Sequence, residues 1–266
     1  MLPAPGIPPL LRFTLLLLLL LARPLPAADP WQAALNLDYN TAATEFERRL
    51  ADDPDNLRLT NARASSLLVQ QPRTAANLET ARGLLESVLA RATAGEREQR
   101  ALALYLLARL DHEHVAPPRL EAARSRYEQL RREHSGHPLA DQAAVHLALL
   151  LIFQLPGGTP EQAVAAVTAL LAECTSPAAR RELHHLLAHI HWRVLRDAAA
   201  ALPHYLAGRA IGFETPYRNS ELDLTIAGLA AGLGRHELAS RHYLAFVEAN
   251  PRDARAPTAR RLAARP

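Results

Sequence analysis

The sequence predicts an all-α chain, a solenoid of about six antiparallel helix pairs closed by a short C-terminal capping helix. Three observations predict it. Prolines and glycines after residue 29 fall between apolar-periodic segments, at Pro54, Pro72, Pro117-Pro118, Pro138, Pro156-Gly157-Gly158, Pro160, Pro177, Pro216 and Pro251. Proline is tolerated in the first turn of a helix and stops one elsewhere, so these positions mark helix junctions, with Pro203 the exception near the start of its helix. Between junctions, apolar residues recur at spacings of three and four, as in Leu102, Tyr105, Leu106, Leu110 and in Leu222, Ile226, Leu229, Leu233, and no useful stretch alternates with a period of two. Finally, one of every two helices repeats a small residue, an aromatic or leucine four positions on, and a small or apolar residue seven positions on.

In order, the pairs are expected at 30–52, 57–92, 96–135, 138–173, 176–209 and 217–249, with the capping helix near 254–263. The first is truncated at its front, as suits an N-terminal cap, and carries Ala42/Phe46. The next five carry Ala81/Leu85/Val88, Ala123/Tyr127/Leu130, Ala166/Leu170, Ala201/Tyr205/Gly208 and Ala239/Tyr243/Phe246. The leading alanines are 39, 42, 43, 35 and 38 residues apart, and a proline follows twelve residues later in two cases, Pro54 and Pro251. Where two antiparallel helices cross closely, one position must be small, and a ring one turn later fills the space beside it. A lone pair leaves one face uncovered, so the pairs must stack.

Composition agrees: 49% of the 266 residues are hydrophobic but only 5% aromatic, the balance being mostly Ala and Leu, which favour helix. Arg12, the apolar run Phe13 to Ala22, and Arg23-Pro24-Leu25-Pro26-Ala27-Ala28 read as a secretory signal peptide, residues 1–28, cut near Ala27 or Ala28. The run is too short for a membrane span, which needs about 20 apolar residues. A periplasmic or secreted protein is therefore expected. Every basic residue is Arg, and loss of Arg12 and Arg23 leaves 28 against 27 acids. Five of these (Arg252, Arg255, Arg260, Arg261, Arg265) crowd residues 252–266, a basic cap or tail, against one acid, Asp253, so the body at 29–251 is slightly acidic. A nucleic-acid footprint would need a basic face along the body, so no nucleic-acid partner is expected. The single cysteine, Cys174, excludes an internal disulfide framework, and its place at the end of an apolar helix suggests a small buried side chain.

Residues Asp38 to Leu50, continuing through Asp53-Pro54-Asp55-Asn56, resemble the second helix and exit turn of a tetratricopeptide repeat (TPR). So do Gly234-Arg235-His236-Glu237-Leu238-Ala239 through Tyr243, with Asn250-Pro251. The middle repeats are longer than that family's, with extra turn residues such as His114 to Pro118. The stretch Ala123 to Ala143 is similar to repeats of cell-envelope TPR proteins of Gram-negative bacteria. The resemblance implies a right-handed superhelix whose first helices line a concave groove that receives a segment of a protein partner. In the best-registered repeat, Glu221, Leu224, Thr225 and Gly228 face that groove, an almost smooth stripe that suits an apolar or extended ligand or, equally, tight curvature.

Histidine is the one over-represented reactive residue. His184, His185, His189 and His191 follow Glu182; His185 and His189 share one helix face at a spacing two metal ligands can use, but two ligands are not a site. Facing the helix that carries Ala201 and Tyr205, they are expected to be partly buried. The second cluster, Asp111-His112-Glu113-His114, ends a helix before Pro117, where histidine complements the helix dipole and needs no further role. No zincin signature, Gly-x-Ser-x-Gly elbow, phosphate loop or Cys-x-x-Cys occurs, so neither an enzyme nor a cofactor is expected. The reading is an exported interaction scaffold of the bacterial cell envelope, its arginine-rich end adding attraction to anionic surfaces. The alternative is a metal-binding or hydrolytic periplasmic protein built on the histidines.

Overall fold

The computed structural model describes residues 29–265; the expected signal peptide lies outside the described residues. Thirteen α-helices follow one another with no strand among the described residues: α1 (Pro30–Leu35), α2 (Tyr39–Asp52), α3 (Leu57–Val69), α4 (Ala75–Arg91), α5 (Arg97–Arg109), α6 (Leu120–Glu133), α7 (Pro138–Phe153), α8 (Pro160–Glu173), α9 (Pro177–His189), α10 (Ala198–Ile211), α11 (Pro216–Gly232), α12 (His236–Ala249) and α13 (Ala256–Ala263). Among the described residues, no helix is long and apolar enough to cross a membrane. Six antiparallel pairs, α1α2 through α11α12, are capped by α13, the TPR-like arrangement expected from the sequence.

Local chemistry explains the boundaries. Asn56, Thr74, Ser176 and Asp197 each accept a backbone N–H from the first turn of α3, α4, α9 and α10. Thr159 and Gln162 close a reciprocal capping box on α8. Pro138, Pro160, Pro177 and Pro216 sit at the helix starts, where no N–H is needed.

The helices hold together by sharing cores rather than enclosing one. α5 sends Ala103, Leu107 and, just past its end, Leu110 into the core of the second pair, and Ala101, Leu104 and Ala108 into the core it shares with α6 to α9. Farther on, α9 gives Leu183 and Leu187 to that core but Ala188 to the next. Each fully buried leucine adds about 1.5–3 kcal/mol, and no pair could bury both faces alone. At the front, the six-residue α1 closes the stack by setting Trp31 edge-on against Phe46 at 4.8 Å. At the back, α13 covers α12 with Ala256 and Ala259, and Arg255 reaches across to Glu221 at 2.6 Å.

One register differs from the sequence expectation. In α8 the buried series is Ala163, Val167 and Leu170, with Ala166 only half-buried. The leading alanines are then 39, 42, 40, 38 and 38 apart, more regular than predicted.

Two helices overrun as π turns, α5 through Leu110–His114 and α9 through Ile190–Val194. Such turns shift the facing of the residues that follow, and they are frequent at functional sites. Asp111 is fully buried and His112 nearly so, which corrects the expectation that this cluster merely complements a helix end.

Candidate functional site

The first helices of successive pairs, α3, α5, α7 and α9, each pack on the next. Between α9 and α11 lies a depression of about 420 Å³, lined by His185, His189, Trp192, Arg193, Tyr217, Arg218, Glu221 and Thr225 among others. It runs on into a second of about 370 Å³ lined by Trp192, Leu224, Thr225, Gly228 and Gly232. The four stripe residues expected to face a groove therefore share one face with the two histidines.

Their surroundings differ. Gly228 is exposed, and a Cβ built on it would meet nothing within 4 Å, as is also true of Gly232. Close helix approach therefore does not require glycine at either position. Glu221 is not free: Arg255 donates to both its oxygens, at 2.6 and 3.0 Å. Arg181 and Arg218 both lie against the Phe213 ring, at 4.6 and 3.7 Å from its centroid, and both approach Glu182. Tyr217 stands 64% exposed at the rim.

The four histidines of α9 and its π turn divide into two sets. His185 packs edge-on against Tyr205 at 5.5 Å, and His189 against Phe153 at 6.0 Å, both on the groove side. Partial burial was expected and is observed. Burial lowers the His185 pKa, and its Nδ1 is buried without a hydrogen-bond partner. His184 and His191 turn instead toward His204 of α10: His184 Nδ1 is 3.1 Å from His204 Nδ1, and the His191 ring stacks on His204 at 5.8 Å. Burial, then His184 and His191, lower the His204 pKa to about 4.

As metal candidates, His185 and His189 gain no third ligand among the described residues. Among the described residues, the grouping that can hold an ion is His112, Glu113 and His146, from the other cluster and from α7. Asp111 beside it is gripped by Arg82 at 2.7 Å and by Arg126. The Tyr127 ring stacks on His146 at 5.5 Å, and burial raises the Tyr127 pKa. Tyr105 and His146 open onto a third depression, about 220 Å³, with Gln142, Val145, Arg181 and Glu182. The sequence reading missed this set because α-helical periodicity cannot anticipate a π turn. Its available signal was Asp111, an acid in phase with buried Leu104 and Ala108 that has to be paired.

Cys174 is buried, and burial pushes its thiol up to about 11, as expected of a packing side chain.

No protein-family model matches the chain, and no curated protein does. Among solved structures it is similar to one described as the crystal structure of the P58(IPK) TPR domain at 2.5 Å. The identity is 17%, the match covers 87% of this chain and 61% of that one, and the TM-score is 0.36. A likeness of this size says nothing of what this chain binds.

Proposed function

We propose that this protein is an exported, non-enzymatic interaction scaffold of the bacterial cell envelope, which holds an extended segment of a partner protein along the groove between α9 and α11. Gly228 carries the reading. A glycine inside a helix costs about 0.5–1 kcal/mol relative to alanine, and here no neighbour requires it. A bound chain passing close to the α11 backbone supplies the reason. Trp192, Tyr217 and Phe213 with its two arginines give that chain aromatic and cationic anchors, the residue types that dominate binding energy at interfaces.

The envelope location rests on the N-terminal signal pattern, and the exposed Arg252, Arg260, Arg261 and Arg265 are suited to anionic surfaces. Arg255 is spent on Glu221 and Asp253.

The test is crosslinking in living cells followed by mass spectrometry. A few defined envelope proteins are expected, lost when Leu224 or Gly228 is replaced by arginine; a chain recovered alone would remove the scaffold reading.

A further inference from the structure

His112 and Glu113 come from the π turn after α5 and His146 from the middle of α7, yet one donor atom from each lies within 4.8 Å of the other two. Glu113 Oε1 is 3.9 Å from His112 Nδ1 and 3.4 Å from His146 Nδ1. Tetrahedral zinc with bonds of about 2.0–2.2 Å holds its ligand atoms about 3.3–3.6 Å apart. Of the two pairs that Glu113 Oε1 makes, the one with His146 already has that spacing and the one with His112 is a few tenths of an ångström wide.

The atoms facing away from the centre make the stronger case. His112 Nε2 lies 3.0 Å from Gln154 Oε1, which can only accept, so Nε2 holds the proton and the Nδ1 lone pair faces the Tyr127 hydroxyl at 3.4 Å, a long contact that an ion has to displace. His146 Nε2 lies 3.1 Å from the Tyr105 hydroxyl and can donate there, while its Nδ1 is buried without a hydrogen-bond partner. Arg109 donates to Glu113 Oε2 and leaves Oε1 toward the rings. Each of the three groups is thus held from behind by its own partner, as metal ligands are when their orientation and tautomer are fixed before the ion arrives.

We propose that His112, Glu113 and His146 form a binding site for a divalent transition-metal ion of the zinc type, ligated by two imidazole Nδ1 atoms and Glu113 Oε1. Two imidazoles and one carboxylate favour Zn²⁺, Cu²⁺ or Ni²⁺ over Mg²⁺ and Ca²⁺, which want an all-oxygen shell. The charges in view are few. Glu113 supplies the one negative charge among the ligands, Arg109, bonded to its other oxygen, opposes the ion, and Asp111 is occupied by Arg82 and Arg126. Binding therefore depends on neutral imidazoles. His146 also lines the depression that it shares with Tyr105.

The test uses the full chain, stripped with chelator and titrated with Co²⁺ or Zn²⁺ alone. The site predicts visible Co²⁺ bands that saturate at one equivalent and vanish on adding Zn²⁺. It also predicts a rise in Tm of about 5 °C or more with free Zn²⁺ at about 100 times its Kd. H146Q and E113Q lose both signals, while the double variant H185A/H189A keeps both. Glu113 is a third exposed at the rim, so E113Q serves if H146Q does not fold. Absence of the bands and of the Tm shift in the unaltered chain, or signals that survive E113Q and disappear in H185A/H189A, would overturn the proposal.

Discussion

Arg209 grips Asp223 with two hydrogen bonds of 2.9 Å each and so ties α10 of the fifth helix pair to α11 of the sixth. His242 of α12 adds a third contact to the same carboxylate at 2.8 Å. Burial pushes the Asp223 pKa up, but the bonds from His242 and Arg209 outweigh it and hold the group below the usual carboxylate range. D223N is expected to destabilise the chain by about 2–3 kcal/mol, toward the low end for a buried charge because Arg209 keeps a third of its side chain in solvent. A lowered pKa means that the contribution is present above about pH 4 and lost as pH falls through the folded value. Denaturant melts of both proteins should show a constant gap from neutral pH down to about pH 4 that closes below it.

Asp111 is a harsher case. Fully buried, it neutralises Arg82 of α4 and Arg126 of α6, which otherwise face each other. D111N should cost about 3–5 kcal/mol, since two guanidinium groups lose their shared counter-charge. Chemical denaturation monitored by circular dichroism measures it. A loss below about 1 kcal/mol would mean that the arginines simply swing into solvent.

The histidines of α9 and α10 predict acid sensitivity in a different window. His204 faces His184 and His191, and Arg180 lies near His184, so no acid offsets a proton there. With its folded pKa lowered to about 4, the unfolded chain takes up the proton first. Stability should therefore fall as pH drops from about 6.5, the unfolded value, and level off below about 4. H204Q should lose less Tm over that interval than the unaltered protein does.

Much of the architecture was legible because its determinants are local. Prolines in first helical turns marked the junctions, and the small-then-ring pattern named the buried crossings, Ala42/Phe46, Ala123/Tyr127 and Ala239/Tyr243 among them. The register of α8 was not, because Ala163, Ala165, Ala166, Ala169 and Ala172 offer several equally small faces and only packing selects among them. The four histidines around α9 read as one cluster in sequence, yet helical facing sends two to the groove and two to His204. The grouping of His112 with His146 joins residues 34 apart through a π turn, a geometry that a 3.6-residue period does not encode. Glu221 lines the depression between α9 and α11, but its capture by Arg255 depends on where α13 docks.

Gly83 of α4 and Gly228 of α11 are both exposed helical glycines with open space around the missing Cβ. G83A and G228A should each raise stability by about 0.5–1 kcal/mol, which equilibrium unfolding would detect. If glycine at position 228 exists for a bound chain, only G228A should lower partner recovery.

The most direct measurement is in-cell crosslinking of three versions of the protein: unaltered, G228R and G83R. Both arginines enter open space, so both variants should fold, and they differ only in which face carries the added charge. The groove account predicts that G83R recovers the same partners as the unaltered chain and that G228R recovers few or none. Equal recovery by G228R would show that partners do not lie along α11 and would contradict the account.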